Sequence, residues 1–408
     1  MTGVRLDRMG RLGRPAKVVF WAGSFEQAGT QRFLVELLAR LDRGAFRPIV
    51  FSALRRGELL PTIESLDVPV LEFGTGSSLA SPATARGLAA AAAFLRREHV
   101  AILNCMLGII TLFGPFVGRA AAVPVVINHQ RNAAYWIRGR ARAATYGFVN
   151  RRLVDAVAVN SGAAGDELVS RFGVPRAKVV DVGAGVDVGR FAGAGRDERL
   201  ARSLGLSGGP VVGIVAKLSE VKGHEWFLEA AARVARERGD AQFLIVGDGP
   251  RRAELEATAA RLGLSDRVVF AGARNDVSAL LKLMSVFALS SVSEGSPNAV
   301  MEAMAAGLPV VATDVGGIRA VAGGSGAVLV APRDADALAR GVLGMLSDVD
   351  AAAAAGRAGQ RVVRERHDIA QVVRRVERLF DDLLEARAAG SCARLQGAGD
   401  GARSGRAA

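Results

Sequence analysis

Apolar residues come in short buried-looking runs separated by segments of helical spacing. KVVFWA at 17–22 is the first such run, and the amphipathic QRFLVELLARL follows, with Phe33, Leu34, Leu37, Leu38 and Leu41 on one face. RPIVFSA, PVLEF, AILNCM, VPVVINH and DAVAVNS continue the strand runs, and a helix is expected over 83–98. The rhythm restarts at Pro210 with VVGIVAKL, a helix over 225–238, AQFLIVG, a helix over 250–262, RVVFAG, a helix around 276–284, VFALSS and VVAT. Continuous runs of this kind are strands covered on both faces, so the pattern predicts an α/β fold with two mostly parallel sheets. The expected divisions are a basic tail over 1–16, a first domain over 17–191 and a Gly/Ala/Ser-rich linker over 192–209. A second domain over 210–365, a helix over 366–388 and a disordered tail over 389–408 follow.

The 408 residues are 50 % apolar and carry a net charge of +13, mostly through arginine. That excludes a disordered chain and favours phosphate-bearing partners: nucleotides, nucleic acid or an anionic membrane surface. No nucleic-acid-binding signature accompanies the charge, so nucleic acid is not an expected partner. Only Cys105 and Cys392 occur, which implies neither a disulfide framework nor a zinc site, and a reducing compartment is expected. The basic first 17 residues lack an apolar core and do not read as a secretory signal. The uncharged stretch 100–118 is broken by Asn104, Gly108, Thr111, Gly114 and Pro115, and reads as a strand plus a short helix rather than a membrane span. From Arg131 to Arg152 there are six arginines and no acids, interleaved with Tyr135, Trp136, Tyr146 and Phe148. Such a segment is either a solvated helix face or a contact with an anionic membrane surface.

The chemistry concentrates in SVSEGSPNAVMEAMAAGLPVVATDVGG at 291–317. Ser296 is placed to cap a helix, Pro297 to occupy its first position, Gly307 to end it and Pro309 to prevent its continuation. Glu294 precedes this helix and Glu302 lies eight positions later, inside it. A helix N-terminus next to Glu294 favours an anionic ligand.

EGSPNAVMEAMAAGLPVVATDVGG closely resembles the E-x7-E signature of glycosyltransferase family 4. The glutamate spacing, the SPN turn, the A-x-G-x-P-V-V strand and the D-x-G-G all match together. KVVDVGAGVDVGRF resembles the family segment that ends in G-V-D-x-x-x-F, with Ala184 in place of the usual Asn. The resemblance covers roughly 17–385 and implies a GT-B fold, in which two Rossmann-like domains face a cleft. It also implies transfer, with retained anomeric configuration, from a UDP- or GDP-sugar to a glycan, lipid-linked or small-molecule acceptor, with surface-polysaccharide assembly as the setting. By the same resemblance Lys217 and Lys222 of VAKLSEVKGH contact the donor diphosphate, and Gly247 and Gly272 line the base. Gly29 and Thr30 approach donor and acceptor. Gly295, Ser296, Pro297 and Asn298 complete the donor pocket, Glu302 binds the ribose and Glu294 the sugar. His129, at the end of VPVVINH, would lie near the anomeric centre, so His129, Lys222 and Glu294 are the candidate catalytic residues. Gln130 and Arg131 follow it where the family often has an acid.

No D-x-D pair with a carboxylate environment for Mg²⁺ is visible, so neither a metal nor a cofactor is expected. GDGPRR lacks the third glycine of a dinucleotide fingerprint, which argues against NAD. The expected location is the cytoplasm, with the inner face of the cell membrane as an open alternative. A nucleotide-sugar epimerase or phosphorylase of the same architecture, and a non-catalytic glycan-assembly subunit, are the competing readings.

Overall fold

The computed structural model describes residues 15–401 apart from 27–28, 75–80, 107, 132–136, 138, 194, 207 and 296, with side chains as far as 389. The chain forms two compact units. One comprises Met1–Gly183 with Val372–Ala408, and the other Ala184–Gln371.

The first unit is built on seven strands: β1 Ala16–Ala22, β2 Phe46–Ser52, β3 Val70–Glu72, β4 Ile102–Cys105, β5 Val125–Gln130, β6 Ala156–Val159 and β7 Val179–Asp181. All pair in parallel in the order β3-β2-β1-β4-β5-β6-β7. On one face Trp21, Leu103, Cys105 and Val126 join Tyr146 and Val149 in a buried core. On the other, Phe380 of the helix Ile369–Gly401 packs its ring 6.2 Å from Phe20 and 5.5 Å from Phe46. Asp155 ties this unit together: one oxygen accepts from Arg119 and from the backbone N–H of Val126, both at 2.8 Å, and the other meets Arg387 of the same helix. The uncharged 100–118 stretch becomes β4 and the first part of the helix Ile110–Ala120. No helix among the described residues is long and apolar enough to cross a membrane.

The second unit carries β8 Val211–Val215, β9 Gln242–Val246, β10 Val268–Gly272, β11 Val286–Leu289, β12 Val310–Thr313 and β13 Val328–Val330. These are also parallel, in the order β10-β9-β8-β11-β12-β13. Both sheets are therefore of the Rossmann type, covered by helices on both faces. Near-continuous burial of FLIV, VFAL and VVAT follows from that double cover.

The chain changes unit earlier than composition suggests. Val186, Val188 and Phe191 belong to the second core, and Val186 exchanges backbone hydrogen bonds with His367 and Ile369 at 2.9 and 3.0 Å. Residues 192–209 hold a helix, Glu198–Ser203, whose N-cap Asp197 accepts from Arg199 and Leu200 and whose Ala201 is fully buried. Within this stretch Glu198, Arg199, Leu200, Ala201 and Arg202 are good helix formers, and the capping Asp197 starts the helix. The helix expected over 366–388 runs from Ile369 to Gly401.

Candidate functional site

In the second sheet β8 lies between β9 and β11, so the strand order reverses there. Loops leaving the carboxyl ends of two such strands part to form the crevice in which open α/β sheets hold ligands. The loop after β8 carries Lys217 and Lys222, and the loop after β11 carries Glu294 and Gly295. Backbone and side-chain bonds knit the loops together. The N–H of Val292 donates to the carbonyl of Val221 at 2.9 Å, and Ser290 Oγ donates to the carbonyl of Lys222 at 3.2 Å.

Their central contact is Lys222 Nζ to Glu294 Oε1 at 2.6 Å. The same oxygen accepts from Ser291 Oγ at 2.7 Å, and the Ser291 carbonyl is held by Thr313 Oγ1 at 2.6 Å. Glu294 keeps 6 % of its side-chain surface and Lys222 25 %, so the carboxylate is fixed and the ammonium still reaches solvent. A lysine held this way offers its remaining N–H donors to a second anion. Lys217 is exposed on the same loop.

Two glycines make the packing possible. A Cβ on Gly223, whose φ is +60°, would lie 2.4 Å from the Ser290 carbonyl oxygen, so only glycine lets the Lys222 loop close against the Glu294 loop. A Cβ on Gly316, at φ +54°, would lie 1.8 Å from the Glu294 carbonyl oxygen, and the D-V-G-G turn presses directly on the backbone that aims Glu294. Gly247 and Gly272 sit at the ends of β9 and β10 and share a bond, Gly247 N–H to the Gly272 carbonyl, at 2.8 Å.

The helix after Glu294 is Asn298–Ala305. Pro297 stands one residue before it rather than in its first turn, and Ser296 lies outside the described residues. Glu302 is half-buried on the helix, and Gly307 ends it at φ +84° with the Leu308 N–H reaching back to the Ala303 carbonyl at 3.0 Å. The structure thus brings Lys222 and Glu294 into contact, with Lys217 on the loop of the first and Gly295, Pro297, Asn298 and Glu302 following the second along the chain.

Gly29 and His129 belong to the first unit. Gly29 opens the helix Gly29–Arg40, whose Phe33 ring lies 6.2 Å from the His129 ring. His129 is 3 % exposed, and neither ring nitrogen has a partner among the described residues. Burial, reinforced by the charge of Arg131, depresses its pKa to about 3, so the imidazole is neutral.

His224 escaped the sequence reading. It follows Gly223, is fully buried with neither ring nitrogen partnered among the described residues, and is held to a pKa of about 4 by burial and by the charges of Lys222 and Arg251. A histidine with a depressed folded-state pKa binds fewer protons folded than unfolded. Its stabilisation is complete above the unfolded value near 6.5 and is lost as the pH falls towards the folded value. Urea unfolding at pH 5 is therefore expected to show a loss of about 2 kcal/mol per buried histidine relative to pH 7, and His224→Gln removes its share of that difference.

Residues 209–348 match the family described as glycosyl transferases group 1, and residues 28–190 match glycosyltransferase family 4. The 2-deoxystreptamine glucosyltransferase of Streptomyces kanamyceticus is 39 % identical over 168 residues, covering 40 % of this chain and 43 % of the relative. A GDP-mannose-dependent alpha-(1-6)-phosphatidylinositol monomannoside mannosyltransferase of Mycolicibacterium smegmatis is 31 % identical over 263 residues, covering 62 % of this chain and 68 % of its own. The chain spans about half the length of the first curated relatives it matches. Among solved structures, Anabaena HepE in complex with UDP and glucose superposes with a TM-score of 0.80 at 21 % identity, covering 90 % of this chain and all of that one. A glycosyltransferase from Rickettsia africae gives 0.80 at 17 % identity, with 91 % and 99 % covered. At these identities the likeness speaks for the fold, which is that of the GT-B glycosyltransferases. With both units matched and a relative covered over two thirds of its length, the chain belongs to glycosyltransferase family 4.

Proposed function

We propose that this protein is a retaining glycosyltransferase that moves a sugar from a UDP- or GDP-sugar to a glycan, lipid-linked or small-molecule acceptor in surface-polysaccharide or glycoconjugate synthesis. The observation that carries the reading is the Lys222–Glu294 contact at the strand-order reversal of the second unit. As the sugar–phosphate bond breaks, negative charge grows on the departing diphosphate. Lys222 and Lys217 are placed to meet that charge, which stabilises the transition state more than the ground state. Positive charge from lysines in this role makes a metal ion dispensable. Glu294 has two tasks: it orients the lysine and presents its remaining oxygen to the sugar. Glu302, on the helix Asn298–Ala305, is assigned to the ribose hydroxyls, and Gly247 and Gly272 to the base. The first unit, with Gly29 and His129, is assigned to the acceptor and the reacting face of the sugar, the neutral imidazole acting as a hydrogen-bonding group rather than as an acid.

The donors named for relatives support both bases: GDP-mannose for the Mycolicibacterium enzyme and UDP for HepE. A cytoplasmic location follows from the use of nucleotide sugars. Association with an anionic membrane face rests on the helix Arg140–Arg152, where Phe148 is exposed among arginines. Tyr135 and Trp136 of that stretch lie outside the described residues.

A panel of UDP- and GDP-sugars, each with and without candidate acceptors and with EDTA present, tests the proposal. Acceptor-dependent release of nucleoside diphosphate, with NMR showing the product's anomeric configuration retained, is the expected result. Sugar interconversion without acceptor would instead identify an epimerase, and inversion or strict metal dependence would refute the mechanism.

A further inference from the structure

The first unit holds a buried cation that the donor chemistry does not use. Side chains on β5 alternate between faces. Asn128 and Gln130 point to one, where Asn128 Nδ2 donates to the Thr111 carbonyl and Gln130 Oε1 accepts from the Tyr146 hydroxyl at 2.6 Å. His129 takes the other, and Arg131, the residue after the strand, joins it against Phe33. The Arg131 guanidinium carbon lies 3.5 Å from the Phe33 ring centroid, a stacked cation–π contact. Arg131 is only 8 % exposed, and its Nη1 is buried with no hydrogen-bond partner among the described residues. Among the described residues both His129 ring nitrogens also lack partners, and so does Asn160 Oδ1, although Asn160 Nδ2 donates to the Arg131 carbonyl at 2.7 Å.

Asp181 is the acid whose field favours charged Arg131, and it favours charged Arg375 of the C-terminal helix in the same way. Burial pulls the Arg131 pKa down to about 9, the sign of a guanidinium short of compensation. A buried, unpaired charge is expensive unless something supplies the missing counter-charge. A planar fork fixed on an aromatic ring, with free N–H donors, suits the oxygens of a phosphate.

We propose that Arg131, stacked on Phe33, is the seat of a phosphate group carried by the acceptor. Its assignment to the acceptor rests on the acceptor role proposed for the first unit. The acceptor class is accordingly a phosphorylated one, such as a sugar phosphate or a phosphate-linked lipid, rather than a neutral glycan.

The test uses the full-length protein with its donor end filled by whichever of UDP and GDP raises the melting temperature, or in Lys222→Ala if neither does. Inorganic phosphate is then titrated at constant ionic strength, with chloride as the control. A further rise in melting temperature is expected in wild type and its loss in Arg131→Gln, whose melting temperature without phosphate is unchanged or higher. Arg131→Lys keeps the charge, loses the fork, and is expected to weaken phosphate binding by roughly tenfold; it serves as the reading if Arg131→Gln does not fold. No phosphate response in wild type, or an equal response in Arg131→Gln, overturns the proposal. Because nucleotide binding is read separately, failure of the phosphate seat and failure of the glycosyltransferase reading are distinct results.

Discussion

Lys222→Ala is expected to lower turnover by roughly 10²–10³-fold, the usual consequence of removing one preorganised group aimed at developing charge. Two effects separate in this variant. Catalysis loses a cation placed at the strand-order reversal. Stability loses the partner of a carboxylate that is 6 % exposed and keeps only its bond from Ser291 among the contacts described above. The stability cost is about 1–3 kcal/mol, held down because Lys222 itself is a quarter exposed. The double variant Lys222→Ala/Glu294→Gln removes the stranded charge. It should recover most of the stability in urea while remaining as inactive as the single variant in nucleoside-diphosphate release. Recovery of turnover together with stability would show that Lys222 acts only on folding.

Gly316→Ala carries the second large effect. At φ +54° an alanine pays about 1 kcal/mol for the left-handed backbone alone. Its Cβ would also sit 1.8 Å from the Glu294 carbonyl oxygen and 2.8 Å from the carbonyl carbon, both backbone atoms that move only if the loop moves. A loss of about 2–4 kcal/mol is expected by chemical denaturation, accompanied by loss of nucleotide binding, since the displaced backbone is the one that aims Glu294. Gly344→Ala is the matched control. That glycine lies inside the helix Ala335–Ser347 and its Cβ would meet nothing within 4 Å, so a gain of about 0.5–1 kcal/mol is expected.

The strands were legible because a doubly covered parallel sheet writes itself as apolar runs: VVAT was read as a strand and is β12, Val310–Thr313, without a shift. Two strands were missed, Val179–Asp181 and Val328–Val330. Each has three residues and is at most half-buried, and VV at 179–180 is shorter than the runs that mark the buried strands, although AVLVA at 327–331 is not. The linker over 192–209 was read from composition and misses the Asp197 cap that starts a helix there. Glu294 stood out as an acid beside a helix N-terminus, whereas Lys222, and the pairing of the two, were legible only through family resemblance. Seventy-two positions separate them, and spacing says nothing about loops that meet because their strands are neighbours. His224, Ser291 and Thr313 were not legible at all, since their significance is a missing partner or a bond to a neighbour in space. Arg131 looked like one of six arginines on a solvated face, whereas it lies just past β5, buried and stacked on Phe33.

Calorimetric titration of UDP and of GDP into wild type and Lys222→Ala tests the central claim, that the crevice between β8 and β11 seats the donor diphosphate. One nucleotide should bind wild type at a single site, with affinity falling as salt rises, and should bind the variant at least ~10-fold more weakly. Absence of binding by either nucleotide, or equal affinity in the two proteins, would contradict it.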